Sequence, residues 1–74
     1  MELKIYSLDG IKFEGSVSQV SLPTKDGEIT VLKNHIPLIT LLQKGNIKID
    51  SKENFSIEGG VAEIESGKVV VLAN

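Results

Sequence analysis

The sequence has 74 residues, no cysteine, one histidine and a net charge of −2 from eight basic and ten acidic side chains. A chain of this length makes one small domain, burying only about 60% of the surface that its unfolded form exposes. The lack of cysteine excludes a disulfide framework and a thiolate metal site; the near balance of charge, with no long run of one sign, disfavours the phosphate backbone of nucleic acid as a partner.

The opening Met1-Glu2-Leu3-Lys4-Ile5 lacks the long apolar stretch of a secretory signal. Leu3 and Ile5 alternate with Glu2, Lys4 and Tyr6, a period of two that predicts a half-buried strand. Asp9-Gly10 then suits a tight hairpin turn needing positive φ, and Ile11 and Phe13 flanking Lys12 begin the next strand. Val17, Val20 and Leu22 keep the rhythm except for one slipped residue, which a β-bulge would absorb. Asp26-Gly27 marks another turn before Ile29 and Val31.

Leu38 to Lys44 follow Pro37, and the β-branched Ile39 and Thr40 favour a strand there over a helical turn. This apolar stretch, beginning at Ile36, is far too short to span a bilayer, so a soluble chain is expected that reaches a membrane only through a partner. Lys44-Gly45-Asn46, Lys52-Glu53-Asn54 and Ser66-Gly67 read as turns between the alternating runs Ile47-Lys48-Ile49 and Phe55-Ser56-Ile57 and the last apolar segment. Gly59-Gly60, between two strand patterns, reads as a bend or a close approach of backbones. Val69-Val70-Val71-Leu72 is apolar on both faces, as in a strand covered on both sides.

Together these elements predict an all-β fold: a small two-sheet sandwich or flattened barrel of about eight to ten short, mainly antiparallel strands. Leu3, Ile5, Phe13, Val17, Val20, Ile29, Val31, Ile47, Ile49, Ile57, Ile64, Val69 and Val71 are the expected core.

Few residues offer chemistry. His35 stands alone, without the second histidine or cysteine of a zinc site or a neighbouring nucleophile to activate, so a structural or interface role is expected. Asp26-Gly27-Glu28 lacks the further oxygen ligands of a calcium loop and reads as a solvated turn open to a partner contact. Gly59-Gly60 lacks the lysine and helix start of a phosphate loop, and Tyr6, Phe13 and Phe55 are too few to stack single-stranded bases. From its residues the chain is a small β module that binds something and catalyses nothing, with no catalytic, cofactor-binding or metal-binding residue.

In order along the chain, several segments resemble the N-terminal domain of the F-type ATP synthase epsilon family. They are Leu3-Lys4-Ile5 through Asp9-Gly10 and Phe13-Glu14-Gly15; Leu22-Pro23-Thr24-Lys25-Asp26-Gly27-Glu28-Ile29-Thr30-Val31-Leu32; His35-Ile36-Pro37-Leu38-Ile39; Lys44-Gly45; Gly59-Gly60-Val61-Ala62-Glu63-Ile64; and Lys68-Val69-Val70-Val71-Leu72-Ala73. The chain departs from the family pattern at Lys33-Asn34, where Pro-Gly is usual, and at Ile36, where Ala is usual.

The resemblance implies a single epsilon-type β-sandwich domain over residues 1–74, with the usual C-terminal helical hairpin absent. It implies a non-catalytic central-stalk, or rotor, subunit of a proton-translocating synthase that attaches the gamma subunit to the c-ring and couples proton flow to ATP synthesis. By position, Asp26, Gly27 and Glu28 would face the polar loops of the c-ring, and Asn34, His35, Ile36, Pro37 and Leu38 the gamma subunit. The place implied is peripheral, on the cytoplasmic face of a bacterial plasma membrane or its organelle equivalent, with membrane contact only through the complex and no cofactor. The helices that restrain ATP hydrolysis in the family have no counterpart here, so neither that inhibition nor ATP binding is expected. The alternative reading is an unrelated small β-sandwich binding module. It predicts exposed aromatics or a signal peptide, and the sequence shows neither.

Overall fold

The computed structural model describes the whole chain, Met1–Asn74. It contains seven strands and no helix: β1 (Glu2–Ser7), β2 (Gly10–Ser16), β3 (Gln19–Thr24), β4 (Gly27–Leu32), β5 (Leu38–Ile49), β6 (Glu53–Glu65) and β7 (Lys68–Ala73). Hydrogen bonding runs without a break in the order β2-β1-β7-β6-β5-β3-β4. Every neighbouring pair is antiparallel except β1 with β7. The all-β, mainly antiparallel character is as expected from the sequence. The number of strands falls just below the expected range, because β5 and β6 run to 12 and 13 residues and each serves twice.

Those two long strands explain how one sheet makes two layers. A flat seven-stranded sheet would be about 29 Å wide but only one strand thick, whereas the molecule measures 27 × 25 × 20 Å. The ladder therefore folds over on itself. Residues 38–42 of β5 and 60–65 of β6 lie with β7, β1 and β2 in the first layer; residues 45–49 and 53–57 lie with β3 and β4 in the second.

The fold line is written in three small residues. Between Ser21 and Thr24 the β3–β5 register slips, with β5 supplying the extra residues. Pro23 sits there, where its missing N–H leaves no gap in a ladder. A Cβ on Gly45 would come within 2.8 Å of the Pro23 ring, so a glycine lets β5 bend beneath it. Lys44-Gly45-Asn46, expected as a turn, is thus a bend inside β5. At Gly60 a Cβ would meet Leu72 O at 2.2 Å, the close backbone approach expected of the paired glycines.

Other turns keep their expected places. Gly10 and Gly27 close the β1–β2 and β3–β4 hairpins with φ of 116°. The β5–β6 turn begins two residues earlier than Lys52-Glu53-Asn54 suggests. Asp50 and Ser51 take positive φ, and Lys52 N–H donates to Ile49 O at 2.9 Å. Asp50 earns its unusual conformation through its side chain, whose Oδ1 accepts from the N–H groups of Ser18 and Gln19 at 2.9 Å each. The expected bulge between Val17 and Val20 is instead a corner where the chain leaves the first layer for the second. β2 ends at Ser16 and β3 begins at Gln19. Val17 is held there by reciprocal bonds with Met1, N–H to Met1 O at 2.8 Å and O to the terminal ammonium at 2.9 Å.

The core comprises Leu3, Ile5, Val17, Val20, Leu22, Val31, Leu42, Ile47, Ile49, Ile57, Ala62, Ile64, Val69, Val71 and Ala73. Phe13 and Ile29, expected within it, are only partly buried against its margin because they lie on the two edge strands, β2 and β4. Phe13 meets Phe55 edge to face across the seam between layers, ring centroids 6.1 Å apart. No buried side-chain polar atom lacks a partner.

Candidate functional site

Side chains directly opposite one another on paired strands share a face. Following the register across the first layer gives one outward row: Leu41, Val61, Leu72, Tyr6 and Ile11. The next row is Ile39, Glu63, Val70, Lys4 and Glu14. Of these, Ile39 is 70% exposed, Leu41 61%, Ile11 58% and Leu72 54%. Four strand spacings make the apolar row about 19 Å long. The β4–β5 loop enters β5 at Leu38, three residues before Leu41, and its Ile36 is 77% exposed.

The outer face of the second layer has another chemistry. Its central row reads Thr30, Ser21, Lys48 and Asn54. Ser21 and Thr30 hydroxyls bond at 2.9 Å, and Lys48 Nζ lies 3.2 Å from Glu28 Oε2. An outward strand face in a sandwich is ordinarily polar in this way. The first layer breaks that rule along a continuous patch, the usual mark of a surface that another protein covers.

Residues singled out in the sequence fall at the two ends of β4. Lys25 and Asp26 form the β3–β4 turn, Gly27 starts β4, and Glu28 follows it, exposed. Thr24, the one buried polar side chain, organises that turn: its hydroxyl donates to Gly27 O and accepts from Asp26 N–H, the latter at 3.2 Å. At the far end, Asn34, His35, Ile36 and Pro37 form the loop into Leu38, the first residue of β5. His35 is half-buried, and its Nδ1 lies 2.7 Å from Ile36 O, a contact that places the ring proton on Nδ1. The loop is anchored by Gly67 N–H to Lys33 O at 3.2 Å. The two groups do not converge, and no nucleophile, acid or base is assembled between them.

The sequence reading missed Ile39, Leu41, Val61, Leu72, Tyr6 and Ile11. A signal was present, since Leu38-Ile39-Thr40-Leu41-Leu42 and Val69-Val70-Val71-Leu72 are apolar at both parities. That pattern suggested a last strand covered on both sides. In the folded chain Val69 and Val71 are buried, whereas Leu72 faces outward, uncovered.

Comparison with known proteins bears on what covers it. The domain family described as "ATP synthase, Delta/Epsilon chain, beta-sandwich domain" matches residues 1–74. The ATP synthase epsilon chain of Campylobacter curvus is 42% identical over 78 aligned residues, covering 100% of this chain and 60% of the relative. That of Endomicrobium trichonymphae is 44% identical, covering 97% and 54%; the chloroplastic chain of Tetradesmus obliquus is 35% identical, covering 100% and 57%. This chain thus spans just over half the length of the curated relatives it matches.

Among solved structures, a chain in the central stalk and c-ring of the Tetrahymena thermophila mitochondrial ATP synthase superposes with a TM-score of 0.84 at 14% identity, covering 99% of this chain and 62% of that one. A chain of the Euglena gracilis mitochondrial enzyme gives 0.84 at 22% identity, covering 96% and 48%. These two share the fold. The family match over the full 74 residues and the identities above 30% together establish that the chain belongs to the β-sandwich domain family of ATP synthase delta and epsilon chains.

Proposed function

We propose that this chain is the β-sandwich part of a non-catalytic rotor subunit of a proton-translocating F-type ATP synthase, attaching the gamma subunit to the c-ring. Its relatives are named ATP synthase epsilon chains, and a fold neighbour lies in a central-stalk and c-ring assembly. The observation that carries the reading is the apolar outer row Leu41, Val61, Leu72, Tyr6 and Ile11, which is dispensable in a free monomer and apt for a permanent partner.

In this reading gamma covers the apolar row together with Asn34, His35, Ile36, Pro37 and Leu38. The polar turn Asp26, Gly27 and Glu28 meets the loops of the c-ring. The work is mechanical: a close-packed sandwich with every buried side-chain polar atom satisfied transmits a load without yielding. The assembly sits on the cytoplasmic face of a bacterial membrane, or its organelle equivalent, and this chain touches the membrane only through its partners. A closed sandwich offers no bistable element, so the 74-residue chain alone neither inhibits ATP hydrolysis nor binds ATP.

Titration of purified gamma with this chain tests the reading. The parent chain is expected to bind, Leu72→Glu and Leu41→Glu to weaken binding at least 100-fold, and Glu28→Ala to change it little, since an exposed ion pair contributes only about 0–1 kcal/mol. No binding by the parent, or equal binding by the Leu72→Glu variant, overturns it.

A further inference from the structure

Asp-Gly occurs twice in the chain, as Asp9-Gly10 and Asp26-Gly27, each where a hairpin turn enters a strand and each with its glycine at φ of 116°. This dipeptide has a chemistry of its own. The glycine nitrogen can attack Cγ of the preceding aspartate and close a five-membered ring, because glycine has no Cβ to hinder the approach. The space beside both glycines is empty, so sterics do not separate the two sites. In a folded chain the turn itself is the barrier. Ring closure needs the aspartate backbone to rotate out of its turn conformation, so the rate follows the ease of local opening.

The two turns are held very differently. Asp26 N–H donates to the hydroxyl of Thr24, a buried side chain that also bonds Gly27 O. Beside it, Lys25 N–H reaches across to Leu41 O at 3.4 Å and ties the turn to β5. Opening this turn strips a buried hydroxyl of its partners, which is costly. Asp9 N–H has only the exposed Ser7 hydroxyl, at 3.2 Å, and neither Leu8 nor Asp9 makes a backbone-to-backbone bond. The Asp9 side chain is 85% exposed, and its one ionic contact, Lys12 Nζ, lies at 3.9 Å. Water replaces every one of these contacts when the turn opens.

We propose that Asp9 is a modification site: it isomerises to isoaspartate in the folded chain, where Asp26 in the same dipeptide is protected, and the product is a substrate for enzymatic methylation of isoaspartyl carboxylates. In the first step Gly10 N bonds to Asp9 Cγ, and the Cγ hydroxyl leaves with the amide proton as water. In the second, water adds to the main-chain carbonyl carbon of Asp9, and the bond from that carbon to Gly10 N breaks. The peptide then runs through Cβ and Cγ of Asp9, one carbon longer, with the former main-chain carboxyl free to accept a methyl group. Only water is released and consumed. The lengthened link adjoins the pairs Ser7–Gly10 and Tyr6–Ile11, where the β1–β2 register already slips. Tyr6 and Ile11 end the apolar outer row, so the modification falls at one end of that surface. The chemistry does not depend on the proposed attachment to gamma.

The test is to age the folded 74-residue chain at mildly acidic pH and digest it with trypsin. Cleavage after lysine places the two sites on separate peptides, Ile5–Lys12 and Asp26–Lys33. Isoaspartate is read as a change of retention without a change of mass, and as labelled methyl transferred from S-adenosylmethionine by an isoaspartyl methyltransferase. It should accumulate at Asp9 at least tenfold faster than at Asp26. In concentrated urea, where neither turn exists, the two rates should become equal. Thr24→Val, which takes the internal partner from Asp26 N–H, should speed Asp26 at least fivefold in the folded chain and leave Asp9 unchanged. Equal rates in the folded chain, faster reaction at Asp26, or an Asp9 that reacts only in urea overturns the inference. So does a difference between the sites that persists in urea, which would trace to neighbouring sequence rather than to the fold.

Discussion

The two outer faces of this sandwich are built on the same backbone plan and carry opposite chemistry. Across the second layer the outward positions are Thr30, Ser21, Lys48 and Asn54. Across the first they are Leu41, Val61, Leu72, Tyr6 and Ile11. Folding does not require the difference, since the inward rows already supply a continuous core. Under the proposed function, the row that these 74 residues leave uncovered is the surface that gamma binds.

The passage between the two layers is the most vulnerable point. Gly60 lies where β6 leaves the polar-faced layer for the apolar-faced one, and a Cβ there would sit 2.2 Å from Leu72 O and 2.9 Å from Ala73 Cα. Both obstacles are backbone, so neither can swing aside. A domain of this size has roughly 4–11 kcal/mol of stability in total. Gly60→Ala is expected to cost more than about 4 kcal/mol. Urea unfolding should show no cooperative transition, and a variant as stable as the parent would mean that the strands do not cross so closely.

The comparison is sharpened by two leucine-sized truncations, one on each side of the first layer. Ile64 is buried, and Ile64→Ala should cost about 2–5 kcal/mol. Leu72→Ala, on the outer side of the adjoining strand, should change the stability of the isolated chain by no more than about 0.5 kcal/mol. Equal losses would show the outer row covered even without a partner.

A smaller effect separates the two Asp-Gly hairpins. The Thr24 hydroxyl is buried and serves both Asp26 N–H and Gly27 O; Ser7 makes the same pair of contacts in the open, to Asp9 N–H at 3.2 Å and Gly10 O at 3.4 Å. Thr24→Val leaves those groups without their internal partner and should cost about 1–2 kcal/mol. Ser7→Ala, where water can substitute, should cost only a few tenths on the same scale. Thermal unfolding of both variants decides between them.

Much of this was legible in the sequence because period-two alternation is a local code. Leu3, Ile5, Ile47, Ile49 and Ile57 are all buried where alternation put them. What escaped is non-local. Nothing near Lys44-Gly45-Asn46 says that Pro23 will sit over Gly45, so a bend looks like a turn. Nothing near Asp50-Ser51 says that a side chain will cap the β2–β3 corner more than thirty residues away. Leu72 looked buried because a sequence cannot tell a face covered by its own chain from one left for another. The contact residues assigned by resemblance, Asp26 to Glu28 and Asn34 to Leu38, lie at the two ends of β4 and along the loop into β5, and only binding measurements test that assignment.

The weakest contact on the polar face closes the comparison. Lys48 Nζ and Glu28 Oε2 are 3.2 Å apart, but both side chains are about half exposed, at 52% and 50%. Water and salt screen such a pair, and ordering two long side chains offsets much of the attraction. Glu28→Gln should therefore lower the stability of the isolated chain by no more than about 0.5 kcal/mol, a difference that vanishes in 1 M salt, where the screening length falls to about 3 Å. A double-mutant cycle with Lys48→Met in urea unfolding isolates the pair from the lone charges. If the coupling exceeds about 1 kcal/mol and survives salt, the second layer's outer face is more ordered than its chemistry implies. If Glu28→Gln leaves stability alone yet weakens binding to a purified c-ring, the carboxylate's role lies in that contact rather than in the fold.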